Sequence, residues 1–250
     1  MARILHFKIL NHFPQLSHCF TTRQYERDIT TTQGQEYFLK SYQSEQTNFI
    51  LPKQVNGFGI QVIKDKSSFL NNRQFVADAI ITNQKNIWIG ILVADCFPIL
   101  IFEPSINVIA VIHAGWKGID QNIHLKTLQH ILGFINCSIK NLLIGIGPGI
   151  GSCCFEVGKE VSDKFEKRSI ISTQFVHPVS KQKALVDLRG LIVSDFVLAG
   201  VSPENIENMN YCTSCCSDLF YSYRKEGKNT GRMLLAARLN ETSQNDKKFE

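Results

Sequence analysis

Apolar residues along this chain gather into short, nearly unbroken runs separated by polar punctuation, and most of the runs have strand length. Ile87–Val93 and residues 108–112 are rich in β-branched side chains, which predicts strands covered on both faces. Ile60–Ile63 alternates like a strand, and residues 78–82 and 142–146 read as further strands. The period changes over residues 122–134, where Ile123, Leu128, Ile131 and Leu132 fall at helical spacing that Gly133 ends. A second helix is predicted to start near Val157 and a third to run over Leu188–Leu198, closing on Gly200. Residues 24–36 show no period and read as a polar loop, while residues 221–224 and 233–237 read as a closing hairpin. Strands interleaved with helices predict an α/β domain with a mixed sheet, one domain over residues 1–239 followed by a polar tail, 240–250.

Composition narrows the class. With 250 residues, a formal charge of +5 and Lys and Arg scattered through the chain, there is no concentrated basic face for nucleic acid. An anionic small-molecule substrate suits the mild positive balance. No apolar stretch is long enough to span a membrane, and the first residues lack a secretory pattern, so a cytoplasmic location and no membrane partner are expected. In a reducing compartment the eight cysteines read as free thiols, catalytic groups or ligands rather than disulfides.

Two clusters carry the chemistry: Ala94-Asp95-Cys96 after the first apolar run, and His113-Ala114-Gly115-Trp116-Lys117-Gly118 after the second. If the two runs are neighbouring strands, Cys96 and His113 emerge at corresponding ends of one sheet. A thiolate beside an imidazole is either half of a soft-metal site or a nucleophile with its base. Gly147-Pro148-Gly149-Ile150-Gly151 lacks the endings of a phosphate loop or dinucleotide fingerprint and reads as a tight turn needing unusual backbone angles, with backbone N–H groups lining a cleft as a narrower role. Cys212 to Cys216 contains one Cys-x-x-Cys, and Cys153-Cys154 has the wrong spacing to complete a zinc ribbon. His6, His12, His124, His130 and His177 are isolated and read as surface or internally satisfied histidines. Arg23, Arg224 and Arg232 are the candidates for meeting an anion, since guanidinium forks suit phosphate.

These stretches occur together in one known family. His18 to Arg23, Gln54-Val55-Asn56-Gly57, Ala77 to Thr82, Ala94-Asp95-Cys96-Phe97-Pro98, His113 to Gly118, Cys154 to Gly158, Ser222-Tyr223-Arg224 and Thr230-Gly231-Arg232 follow in order over nearly the whole chain. The chain resembles the purine nucleoside phosphorylase family once named for multicopper polyphenol oxidase or laccase, which includes a bacterial peptidoglycan editing factor. The resemblance implies a mixed-sheet α/β sandwich of the cysteine-hydrolase-like type. It also implies phosphorolysis of inosine, adenosine and 5′-methylthioadenosine, adenosine deamination, and one zinc ion held by Cys96, His113 and a third position that is His in the family and Asn56 here. Purine nucleoside and phosphate are then the partners. A carboxamide is a poorer zinc ligand than an imidazole, so the ion is expected to be weakly bound or His18 to replace the missing ligand. Copper chemistry fits poorly, because the paired histidines of a multicopper centre are missing. A metal-free Cys96/His113 hydrolase or amidase acting on a peptidoglycan precursor, and a member that binds without turnover, are the competing readings.

Overall fold

The computed structural model describes residues 3–44, 48–65, 75–168 and 171–241. Its strands run β1 (Ile4–Leu5), β2 (Leu16–Thr21), β3 (Asn48–Ile50), β4 (Ile60–Ile63), β5 (Ala79–Thr82), β6 (Ile87–Val93) and β7 (Phe97–Glu103). They continue with β8 (Val108–Ala114), β9 (Leu143–Ile146), β10 (Glu156–Gly158), β11 (Val176–Ser180), β12 (Lys183–Val186), β13 (Ile206–Asn208) and β14 (Met233–Leu239). The α-helices are α1 (Thr32–Ser41), α2 (Trp116–Asp120), α3 (Ile123–Leu132), α4 (Lys159–Arg168), α5 (Leu188–Leu198) and α6 (Tyr223–Glu226).

Alternation inside each strand decides the layering. In β7 and β8, Leu100, Phe102, Ile109 and Val111 pack with Ile89, Ile91, Val93 and Leu235, whereas Ile99, Ile101, Ala110 and Ile112 pack with Ile123, Leu128, Ile131 and Phe196 of the helices. The first group is the interior between a five-stranded sheet, β1-β2-β14-β6-β3, and a six-stranded one, β13-β9-β7-β8-β5-β4. The second lies between the six-stranded sheet and α3 and α5. On the far side, Trp88, Leu234 and Ala236 pack against Phe38 of α1. The result is a mixed α/β sandwich with helices on both outer faces, which is why the central strands are apolar on both sides. Pairing is mostly antiparallel, with β3–β6, β4–β5 and β9–β13 parallel. A small sheet, β10-β12-β11, flanks this body.

Four expectations change. Residues 24–36 overlap α1, whose start is capped by the Thr31 side chain accepting from the Gly34 N–H. That helix buries little beyond Phe38, so it leaves no period in the sequence. The predicted closing hairpin is not formed: Tyr223–Glu226 is a short helix, and β14 pairs with β2 and β6 instead. Asn240 is tied to Gln15, Pro14 and Ser17, so order extends past the predicted start of the tail, most of which falls outside the described residues. Lastly, Gly147, Gly149 and Gly151 do not adopt positive φ; the described glycines that do are Gly200 and Gly227. They are small because neighbours crowd them: a Cβ at Gly147 would lie 2.7 Å from Pro98, and one at Gly149 2.5 Å from the Phe97 ring. No helix among the described residues is long and apolar enough to cross a membrane.

Candidate active site

Cys96 and His113 are brought together, by a different route from the one the apolar runs suggest. β6 and β8 lie in different sheets. After Val93 the chain crosses from the five-stranded to the six-stranded sheet through residues 94–96 and re-enters as β7, antiparallel to β8 with Phe97 opposite Ala114 and Pro98 opposite His113. The crossing places Cys96 beside His113 at the head of the β7–β8 pair. The turn is tight enough to hold Asp95 at φ 82°, a conformation costly for a residue with a Cβ. Fixed partners offset that cost: the Asp95 carboxylate accepts from Thr213 Oγ1 and from the Arg224 N–H, both at 2.6 Å, and its carbonyl accepts from the Ile150 N–H at 2.8 Å.

Asp78 organises the other half. Register in β5–β8 sets it opposite His113, whose N–H donates to the Asp78 carbonyl while the His113 Nδ1–Asp78 Oδ1 contact is 2.7 Å. The same carboxylate accepts from the Asn56 and Gly57 N–H groups at 3.0 and 2.8 Å. Burial pushes the Asp78 carboxyl up, but hydrogen bonds from His113 and the loop amides outweigh it and leave it below its ordinary value. Burial likewise pulls His113 down; attraction to Cys96 and the hydrogen bonds to Asp78 and Cys96 overcome this and raise it to about 9. Composition offers a signal for Asp78 that sequence reasoning missed: a carboxylate set at the mouth of an otherwise apolar strand.

Asn56 sits at φ 57°, where Asn, Asp and His are the residues best tolerated. Its Oδ1 is buried and has no hydrogen-bond partner. A Cβ at Gly115 would collide with that oxygen and lie 3.0 Å from Cys96 Sγ, so the carboxamide and the thiol converge on one point. With Nδ1 held by Asp78, the other ring nitrogen of His113 is turned to Cys96, the orientation that a carboxylate imposes on a metal-binding histidine. A thiol, an imidazole and an orphaned carboxamide oxygen fit a zinc ion with one donor weaker than the family pattern.

These residues border a cleft of about 390 Å³, also lined by Trp116, Phe155, Tyr223, Arg224 and Arg232. Arg224 is steadied by the carbonyls of Cys154 and Glu156 at 3.0 and 2.8 Å, and Arg232 by those of Thr230 and Gly231. Arg23 does not line it: its guanidinium pairs with Glu226 at 2.6 Å and lies over the Tyr221 ring. His18 is no replacement ligand either, since its Nε2 accepts from the Phe7 N–H at 2.9 Å within the β2 layer. His124 is buried and held by Asp195 at 2.8 Å. Cys153 and Cys154, whose spacing does not match a zinc ribbon, nevertheless meet the turn that carries Cys212 and Cys215. Cys153, Cys154, Cys212 and Cys215 converge, their sulfurs all within 4.8 Å of one another, because the fold brings together two turns far apart in sequence.

A family profile described as multi-copper polyphenol oxidoreductase laccase matches residues 19–240. A purine nucleoside phosphorylase of Clostridium acetobutylicum is 34% identical over 157 residues, 62% of this chain and 64% of that one, so the match spans less than two thirds of that relative. Adenosine deaminase RL5, from an unknown prokaryotic organism, is 31% identical over 191 residues, covering 74% of this chain and 72% of its own. The crystal structure of Bacillus licheniformis hypothetical protein YfiH superposes with a TM-score of 0.85 over 96% of this chain and 97% of that chain, at 22% identity, a likeness of fold. The profile runs through the crossing at Cys96, the strand of His113, the crowded glycine loop and Arg232, and the chain belongs to this family.

Proposed function

We propose that the cleft is the active site of a zinc-dependent purine nucleoside phosphorylase that also deaminates adenosine. The observation that carries this reading is the convergence of Cys96, an Asp78-oriented His113 and the unpartnered Asn56 oxygen beside two arginines. Phosphorolysis needs phosphate aimed at the anomeric carbon, where a new C–O bond forms as the C–N bond to the base breaks. Arg224 and Arg232 supply the positive charge for that phosphate, each braced by backbone carbonyls. Trp116, Phe155 and Tyr223 give the cleft an aromatic lining suited to a purine, and the volume suits a nucleoside. Cys96, His113 and Asn56 would hold the ion, whose contribution is Lewis-acid activation of water. Asp78 fixes the imidazole and, through the loop amides, the carboxamide. The names of the Clostridium and RL5 relatives support both activities.

The test is base release from inosine and adenosine, followed by chromatography with and without phosphate and with added zinc. Release of free base that requires phosphate is expected, at a slow rate, and inosine forms from adenosine without phosphate. A second reading rests on one observation, the Cys96–His113–Asp78 chain, which is also the arrangement of a thiol nucleophile, its base and an orienting carboxylate. Cleavage of an amide in the presence of a chelator, with no nucleoside turnover at saturating zinc, would favour it.

A further inference from the structure

Outside the cleft, the described residues hold one group of three or more His, Cys, Asp or Glu side chains able to share a metal ion: Cys153, Cys154, Cys212 and Cys215. Cys215 Sγ lies 3.5 Å from Cys153 Sγ and 3.4 Å from Cys154 Sγ. A disulfide would set sulfurs about 2.05 Å apart, so these are free thiols in contact. Four thiolates about 2.3 Å from a tetrahedral zinc ion sit about 3.8 Å from one another, which is the scale of this cluster. The Gly151 N–H donates to Cys212 Sγ at 3.2 Å, and a Cβ at Gly151 would lie 3.0 Å from Cys212 Cβ and 3.1 Å from Cys153 Sγ. The glycine thus lets one turn close over the other. Arg189, hydrogen-bonded to Asn210 and the Tyr211 carbonyl just before Cys212, adds positive charge beside a group that becomes anionic when it binds metal.

We infer that Cys153, Cys154, Cys212 and Cys215 form a closed, structural zinc centre, distinct from the cleft, that staples the turn after Gly151 to the turn after Tyr211. Binding exchanges four S–H bonds for four Zn–S bonds and releases up to four protons, leaving a dianionic tetrathiolate. All four positions belong to the protein, so no site is left open for substrate. Both stapled turns support the cleft: Ile150 and Phe155 line it, the Cys154 carbonyl braces Arg224, and Thr213 donates to Asp95. The ion positions that wall without touching the reaction.

The experiment is metal analysis of full-length protein purified under reductant, together with cobalt substitution. Cys96→Ser is expected to keep one tightly held zinc per chain and, with cobalt, strong thiolate charge-transfer absorption. Cys212→Ser and Cys154→Ser are each expected to lose that equivalent and that absorption. Should those variants fold poorly, mercurial titration of Cys96→Ser, which lacks the cleft thiol, gives the same reading, one zinc set free as the four clustered thiols are consumed. Loss of all metal from Cys96→Ser, retention of the tightly held equivalent and its thiolate absorption in well-folded Cys212→Ser, iron in place of zinc, or a Cys153–Cys215 disulfide in reduced preparations would each overturn the assignment. Because the readout is stoichiometry and spectrum, it stands apart from whether the cleft phosphorolyses nucleosides.

Discussion

Asn56 is one side chain on which the proposed chemistry of the cleft turns. Its backbone already holds the left-handed conformation that His tolerates, and its buried oxygen faces Cys96, so Asn56→His is expected to raise zinc retention by the cleft and turnover together. Dialysis against graded chelator checks the first and base release the second. Asp78→Asn removes the acceptor that orients His113, and metal affinity or rate should fall about 10- to 100-fold, as loss of such outer partners usually costs. His18 governs stability instead. Burial, with the charge of His6, lowers it from 6.5 to about 4, so the folded protein prefers it neutral. That preference is fully present above pH 6.5 and is lost as pH falls toward 4, on the order of 3 kcal/mol in all. Urea unfolding across that range should show wild type losing more stability than His18→Gln, whose amide oxygen can still accept from Phe7.

At the scale of elements, much was legible because burial leaves a period. Helix α3 ends where Gly133 predicts it, α5 matches Leu188–Leu198, and β6, β8 and β9 coincide with apolar runs to within about two residues. What stayed hidden depends on partners far along the chain. Cys96 and His113 could be picked out as residues, yet not the crossing between sheets that joins them. The four thiols come from turns whose spacing in sequence says nothing about their meeting. The glycine loop shows the same limit, since packing against Phe97 and Pro98 leaves no local trace. Gly149→Ala should therefore cost about 1–3 kcal/mol by overpacking against Phe97, lowering the melting temperature by several degrees.

The whole molecule is bound by the interior shared between its two large sheets. Trp88 reports on the α1 side and Trp116 on the cleft, so the variants Trp88→Phe and Trp116→Phe each leave one fluorescent probe in a different layer. Their denaturation curves should coincide, because neither sheet keeps a covered inner face without the other; separate transitions would show the layers unfolding independently. The same architecture fixes an order of events during synthesis. β14 sits between β2 and β6, hydrogen-bonded to both. A ribosome therefore delivers β2 and the apolar β6 well before the strand that seals their facing edges. Until Met233–Leu239 emerges, the nascent chain carries two open β edges with nothing of its own to close them, which makes it a client for chaperones and makes truncation within β14 far more damaging than its few residues suggest.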